Sequence, residues 1–217
     1  MLLRSQAEYA QMVPDYDRPL PVTELSCANI RRCAVRTILA LPVATLVAAL
    51  LLVACAPKAK PAVPYDLLFI DAMVAHHQGA IAMAQPVELQ ATHPELKDFA
   101  RMVVEGQSRE IEAMMQWRDQ WFPGQPKAPD ILAMPGMTRT MLDEAPGHLW
   151  MLSGGEFDRM FINMMIPHHE GGITMAKDAL AKSNRPEIKD LAQRIIDTQQ
   201  SEIQMMKRWK SEWAKAR

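Results

Sequence analysis

The chain carries one unit written twice. Residues 69 to 122 match 161 to 214 at a constant offset of 92 without a gap, and about 20 of the 54 aligned pairs are identical. The first copy opens FIDAMVAHHQGAIAMA and the second FINMMIPHHEGGITMA. Further along, HPELKDFA answers RPEIKDLA and EIEAMMQWRDQW answers EIQMMKRWKSEW. Whatever one copy folds into, the other must fold into as well.

Apolar residues within a copy recur at helical spacing: Phe69, Met73, Ala80 and Met83, then Leu96, Phe99, Val103, Ile111, Met114 and Trp117. No stretch alternates like a strand. Pro94 and Pro186, each followed by a glutamate, read as proline in the first turn of a helix with an acid at its positive end. Each copy is thus a helical hairpin, and helices are expected over 66–91, 94–121, 156–182 and 186–215. The fold class is all-α, a four-helix bundle built from two duplicated hairpins. Pro86 and Pro167 should each kink or interrupt their helix. Residues 123–155, rich in proline and glycine, form a connector in which Thr138 to Glu144 can make a short helix.

The folded domain is expected over 65–217, after a leader at 1–55 and a tether at 56–64. From Ile38 to Val53 the sequence carries no charge, Arg31, Arg32 and Arg36 lie just before it, and Leu52-Val53-Ala54-Cys55 closes it. That is the order of an export signal ending at a lipid-modified cysteine, so Cys55 becomes the first residue of an exported, lipid-anchored protein facing the periplasm or the cell exterior. A membrane-spanning helix is disfavoured, since the run falls short of the roughly 20 residues a span needs and Pro42 interrupts it. Residues 1 to about 34 precede a normal signal, and Val35 is read as the true start. Cys27 and Cys33 fall in the leader, which leaves the domain without disulfide or thiolate chemistry. The APKAKPAVP tether is too poor in packing residues to fold. A net charge of −1, with both signs interspersed, gives no basic patch for nucleic acid.

Chemistry concentrates in His76-His77 and His168-His169, equivalent pairs that hold four of the six histidines. Successive helical residues diverge by about 100°, so one histidine of each pair is expected to face inward and the other outward or along an edge. Met73, His76, Ala80 and Met83 form one stripe, repeated as Met165, His168, Gly172 and Met175. On the following helices Gln107, Glu110 and Met114 share a face, as do Gln199, Glu202 and Met206, with Glu110 and Glu202 placed to orient an imidazole or bind metal. Methionine at this spacing also fills cores, and a histidine pair can be purely structural. Yet all but two of the 17 methionines lie after Cys55, and imidazole with thioether and no thiolate suits copper, Cu(I) above Cu(II). Met134, Met137, Met141 and Met151 lie in the connector, where an accessory surface copper site is expected. The pairs Trp117/Trp121 and Trp209/Trp213 are expected to cap the core.

The two His-His segments, with the AMPGM of the connector, resemble domain-of-unknown-function family 305, whose members are exported, often lipid-anchored, ferritin-like helical bundles. The resemblance covers about residues 65 to 215. It implies copper binding through His76, His77, Met83, His168, His169 and Met175, supported by Met73, Met165, Met114 and Met206. The copies depart from each other where Gln78 faces Glu170, so a carboxylate role there is unpaired. The expected function is a cell-envelope copper-binding lipoprotein that sequesters copper or passes it to a receiving envelope protein, without catalysis. A metal-free interaction domain on the membrane surface is the alternative. A ferritin-like di-iron oxidase fits worse, because no glutamate stands three residues before any of the paired histidines.

Overall fold

The computed structural model describes residues 63–142 and 145–215. The leader, most of the tether, the lipid-bearing Cys55 and Asp143–Glu144 lie outside the described residues.

The described chain is helical, with no strand among the described residues. In chain order the helices are α1 (Tyr65–Ala84), α2 (Val87–Gln90), α3 (Pro94–Trp121), α4 (Ala145–Leu149), α5 (Gly154–Lys182) and α6 (Pro186–Lys215). The expected first helix is divided, because Pro86 has no amide hydrogen to continue the ladder: α1 closes with Gln85 bonded to Ile81, and α2 starts afresh. Pro167 behaves differently. α5 runs through it without interruption. The carbonyl that the proline leaves unpaired is that of Asn163, and both residues are exposed, so water can satisfy it.

α1 pairs with α3 and α5 with α6, and the two hairpins meet along α1 and α5. Composition explains the arrangement. α1 is apolar nearly all round and α5 carries a wide apolar face, so both belong inside. α3 and α6 each bury one stripe, Leu96, Phe99, Val103 and Met114 in one and Ile188, Leu191, Ile195 and Met206 in the other. The stretch Tyr65–Gln90 contains an 18-residue window apolar enough to cross a membrane, but 78% of that window is buried by the protein itself. It is a core helix.

The duplication recurs in the clasps between hairpins. His93 stacks on Trp213 with ring centroids 3.8 Å apart and bonds Asp158 through Nδ1 at 2.6 Å. At the matching positions Arg185 lies 3.9 Å over Trp121 and 3.3 Å from Asp66. Trp121 and Trp213 are half-buried clasp members, and with Trp117 and Trp209 they pack against the core as expected. Asp158, fully buried, also accepts from the backbone amides of Thr92 and His93, which serves the start of α3.

The connector is anchored. Asp71 of α1 accepts from Arg118 Nε at 2.6 Å and from the Ala128 amide at 2.8 Å. From there the chain makes single 3-10 turns at Ile131–Ala133 and Arg139–Met141, the latter in place of the expected helix over 138–144. Met134 and Met137 are 1% and 6% exposed, so a surface copper site built on them is ruled out by burial. Gly136, at φ +93°, lies against Gly171 of α5, where a side chain on either residue would strike the other's carbonyl.

Candidate metal centre

α1 and α5 carry the paired histidines to the middle of the fold. All four are buried, His168 to 3% exposure and the others to 0%. The expectation that one of each pair faces outward is therefore corrected: α1 and α5 are internal helices, so neighbours cover more than one face. The outward position is taken by Glu170, exposed and 3.7 Å from Lys207, which removes it from the histidine layer.

At the centre the His76 and His168 rings lie 3.9 Å apart, tilted by 40°. His76 Nε2 is 3.0 Å from the His168 carbonyl oxygen. A carbonyl can only accept, so Nε2 carries the hydrogen and Nδ1 is left as a bare lone pair. The outer two imidazoles are held alike. His77 Nε2 meets Glu110 at 2.7 Å and His169 Nε2 meets Glu202 at 2.8 Å. An ionised carboxylate also only accepts, so again Nε2 donates, and in the neutral ring Nδ1 is the bare lone pair.

No hydrogen-bond partner reaches these lone pairs. Nδ1 of His76, His77, His168 and His169 is buried and unbonded, as are His168 Nε2 and the amide oxygens of Gln107 and Gln199. Each such group costs about 1–3 kcal/mol when left without a partner, so a core holding seven has them for a reason other than stability. Protonation is not the remedy: burial, with the neighbouring imidazoles adding to it, pushes the His76 pKa down to about 3 and that of His168 well below its ordinary value. His76 and His168 are thereby kept as neutral imidazole, the form that donates to a metal.

Met73, Met83, Met114, Met165, Met175 and Met206 are all within 1% of full burial and share the core with the histidines. Among the described residues no three His, Cys, Asp or Glu side chains converge as a metal-holding group. Glu110 and Glu202 each meet the Nε2 of an imidazole.

Helical periodicity does not announce the contacts that close this layer on its connector side. Gly79 leaves no room for a Cβ between itself, the Met141 carbonyl and His168 Nε2. A Cβ on Gly171 would lie 2.6 Å from both the Gly136 oxygen and Met141 Cε. Gly172 makes space for Gln199 beside His76. The available signal was the glycine following each His-His pair at matching positions. Met151, by contrast, is 78% exposed and belongs to no cluster.

Known proteins bear on this geometry. CopM in a Cu(II)-bound form is 39% identical, with a TM-score of 0.59 over 68% of this chain and 97% of that one. CopM in a Cu(I)-bound form is 36% identical, with a TM-score of 0.58 over 70% and 99%. A DUF305 protein of Streptomyces coelicolor, named as secreted, is 29% identical, with a TM-score of 0.58 over 65% and 88%. Among curated relatives, Uncharacterized protein L153 of Acanthamoeba polyphaga mimivirus is 47% identical over 49 residues, a match spanning about a third of that protein's length. The profile of the domain of unknown function DUF305 matches residues 66–210. This chain belongs to the DUF305 family.

Proposed function

We propose that this protein binds copper in the cell envelope, to sequester it or pass it on, and that the buried histidine layer with its methionines is the site. The observation that carries the reading is the set of imidazole Nδ1 lone pairs, oriented through Nε2, buried, and lacking any partner in a core that also holds thioethers. Orienting carboxylates behind metal-binding imidazoles are how proteins fix the ligand tautomer. Thioether with imidazole favours Cu(I) and still admits Cu(II). CopM, similar over nearly its whole length, binds Cu(I), Cu(II) and silver. Silver, a soft monovalent ion, suits the same donors.

His76, His77, His168 and His169 supply nitrogen, and Met73, Met83, Met114, Met165, Met175 and Met206 supply sulfur. The two hairpins form a ferritin-like four-helix bundle. The protein is exported, as the secreted relative suggests, and held to a membrane by lipid on Cys55. Its partners are the copper ion and a receiving envelope protein, and it catalyses nothing.

Anaerobic Cu(I) titration of residues 56–217 against a Cu(I) chelator tests the reading. Stoichiometric binding that is lost on His76→Ala with His168→Ala supports it. Binding that survives the double substitution removes the histidine layer from the account, and no binding at all returns the chain to the reading of a metal-free interaction domain.

A further inference from the structure

A site buried this deeply needs a path from solvent. On the connector side, the turn at Met141 lies against Gly79 and Gly171 with no space for even one added carbon, and Gly136 seals the same face. The opposite side is open. There α3 and α6 flank a groove of about 590 Å³, lined among others by Gly106, Gln107, Glu110, Gln199 and Glu202.

That lining joins the groove to the histidines. Glu110 and Glu202 have side chains 22% and 11% exposed, and each uses one carboxylate oxygen to hold the Nε2 of a fully buried imidazole. Gln107 and Gln199 are 5% and 3% exposed, and their amide oxygens sit inside the protein without a partner. Gln199 Oε1 and His76 Cε1 both lie within 3.0 Å of the Cβ position that Gly172 leaves vacant. Carboxylates at the water, amide oxygens below them and imidazoles beneath make a graded series of donors for a cation losing its water. The duplication supplies the series twice, once from each copy.

Resting on the copper reading above, the geometry points to this α3–α6 groove as the route by which copper reaches and leaves the histidine layer, with Glu110 and Glu202 as the groups it meets first. Hydrated or chelator-bound ion docks on the carboxylates, and displacement of a carboxylate from its imidazole opens the last step inward. The connector face takes no part in exchange.

Gly106 allows a clean test. It lines the groove, and a Cβ placed there meets nothing within 4 Å. Gly106→Phe should therefore fold, since any ordinary residue is a better helix former than glycine, while its ring occupies the groove. Stopped-flow transfer of Cu(I) from a coloured chelator to the protein, and back to excess chelator, reads both directions. The expected result is that Gly106→Phe slows uptake and release together by about tenfold or more, leaving the final copper content unchanged, as an obstruction on a path must. Glu110→Gln with Glu202→Gln should slow uptake as well. Transfer through Gly106→Phe at the wild-type rate, or a lower copper content reached at an unchanged rate, overturns the route. A wild-type protein that takes no copper from the chelator at any time removes the copper reading itself, and the route with it.

Discussion

Acid should loosen the metal-free fold through His76. Its native pKa is held at about 3, against an ordinary value of 6.5 in the unfolded chain. Above pH 6.5 the imidazole is neutral in both states and contributes no pH dependence. Below it the unfolded chain takes up a proton that the native protein refuses, so stability falls steadily until the native pKa is reached. By pH 5 the loss from His76 alone amounts to about 2 kcal/mol. His168, shifted in the same direction by burial, adds to it. The assay is urea unfolding of chelator-treated protein, followed by helical circular dichroism near neutrality and near pH 5, for wild type and His76→Leu. Other groups titrate in both proteins, so the informative quantity is the difference between them. The wild type should lose about 2 kcal/mol more than the variant over this interval. Equal losses would refute the dry, neutral state of His76 in the native protein.

Other outcomes follow from the same geometry. Gly171→Ala should lower stability, because its methyl meets the Gly136 carbonyl and Met141, an overpacking cost of about 1–3 kcal/mol that the gain in helix propensity only partly offsets; denaturant midpoints measure it. Asp158→Ala should cost roughly 3 kcal/mol, since a buried carboxylate leaves two backbone amides and His93 Nδ1 without an acceptor. The matching Asp66→Ala should cost under about 1 kcal/mol, because its ion pair with Arg185 is partly exposed. Met73→Leu with Met165→Leu conserves volume and should change the unfolding free energy by less than about 1.5 kcal/mol per site, while Cu(I) affinity in chelator competition falls by at least tenfold.

Much of this was legible in the residues because helical period and duplication reinforce each other. The prolines after His93 and Arg185 set the starts of α3 and α6 correctly, and the gap-free offset of 92 paired Glu110 with Glu202 and Gln107 with Gln199. Periodicity places a residue on a face, however, and does not say how many faces a neighbouring element will cover. For that reason His77 and His169 were expected near an edge and are fully buried. The same limit explains Met134 and Met137, which have no helical stripe to announce them and are buried by a connector pinned at Asp71. The His93–Asp158 and Arg185–Asp66 clasps were also present at matching positions. Their roles emerged only with the fold, because the two members of each clasp lie on different hairpins.

In the proposed site the Nδ1 atoms of His76, His77 and His169 are nitrogen donors, with Nε2 of each kept protonated by its acceptor. Histidine-selective nitrogen-15 NMR of the protein, titrated with diamagnetic Cu(I) or Ag(I), addresses this assignment directly. On loading, the Nδ1 signals of His76, His77 and His169 should move while their Nε2 signals remain those of protonated nitrogen. Loading that moves the Nε2 signals, or that leaves every histidine signal unchanged, would contradict it.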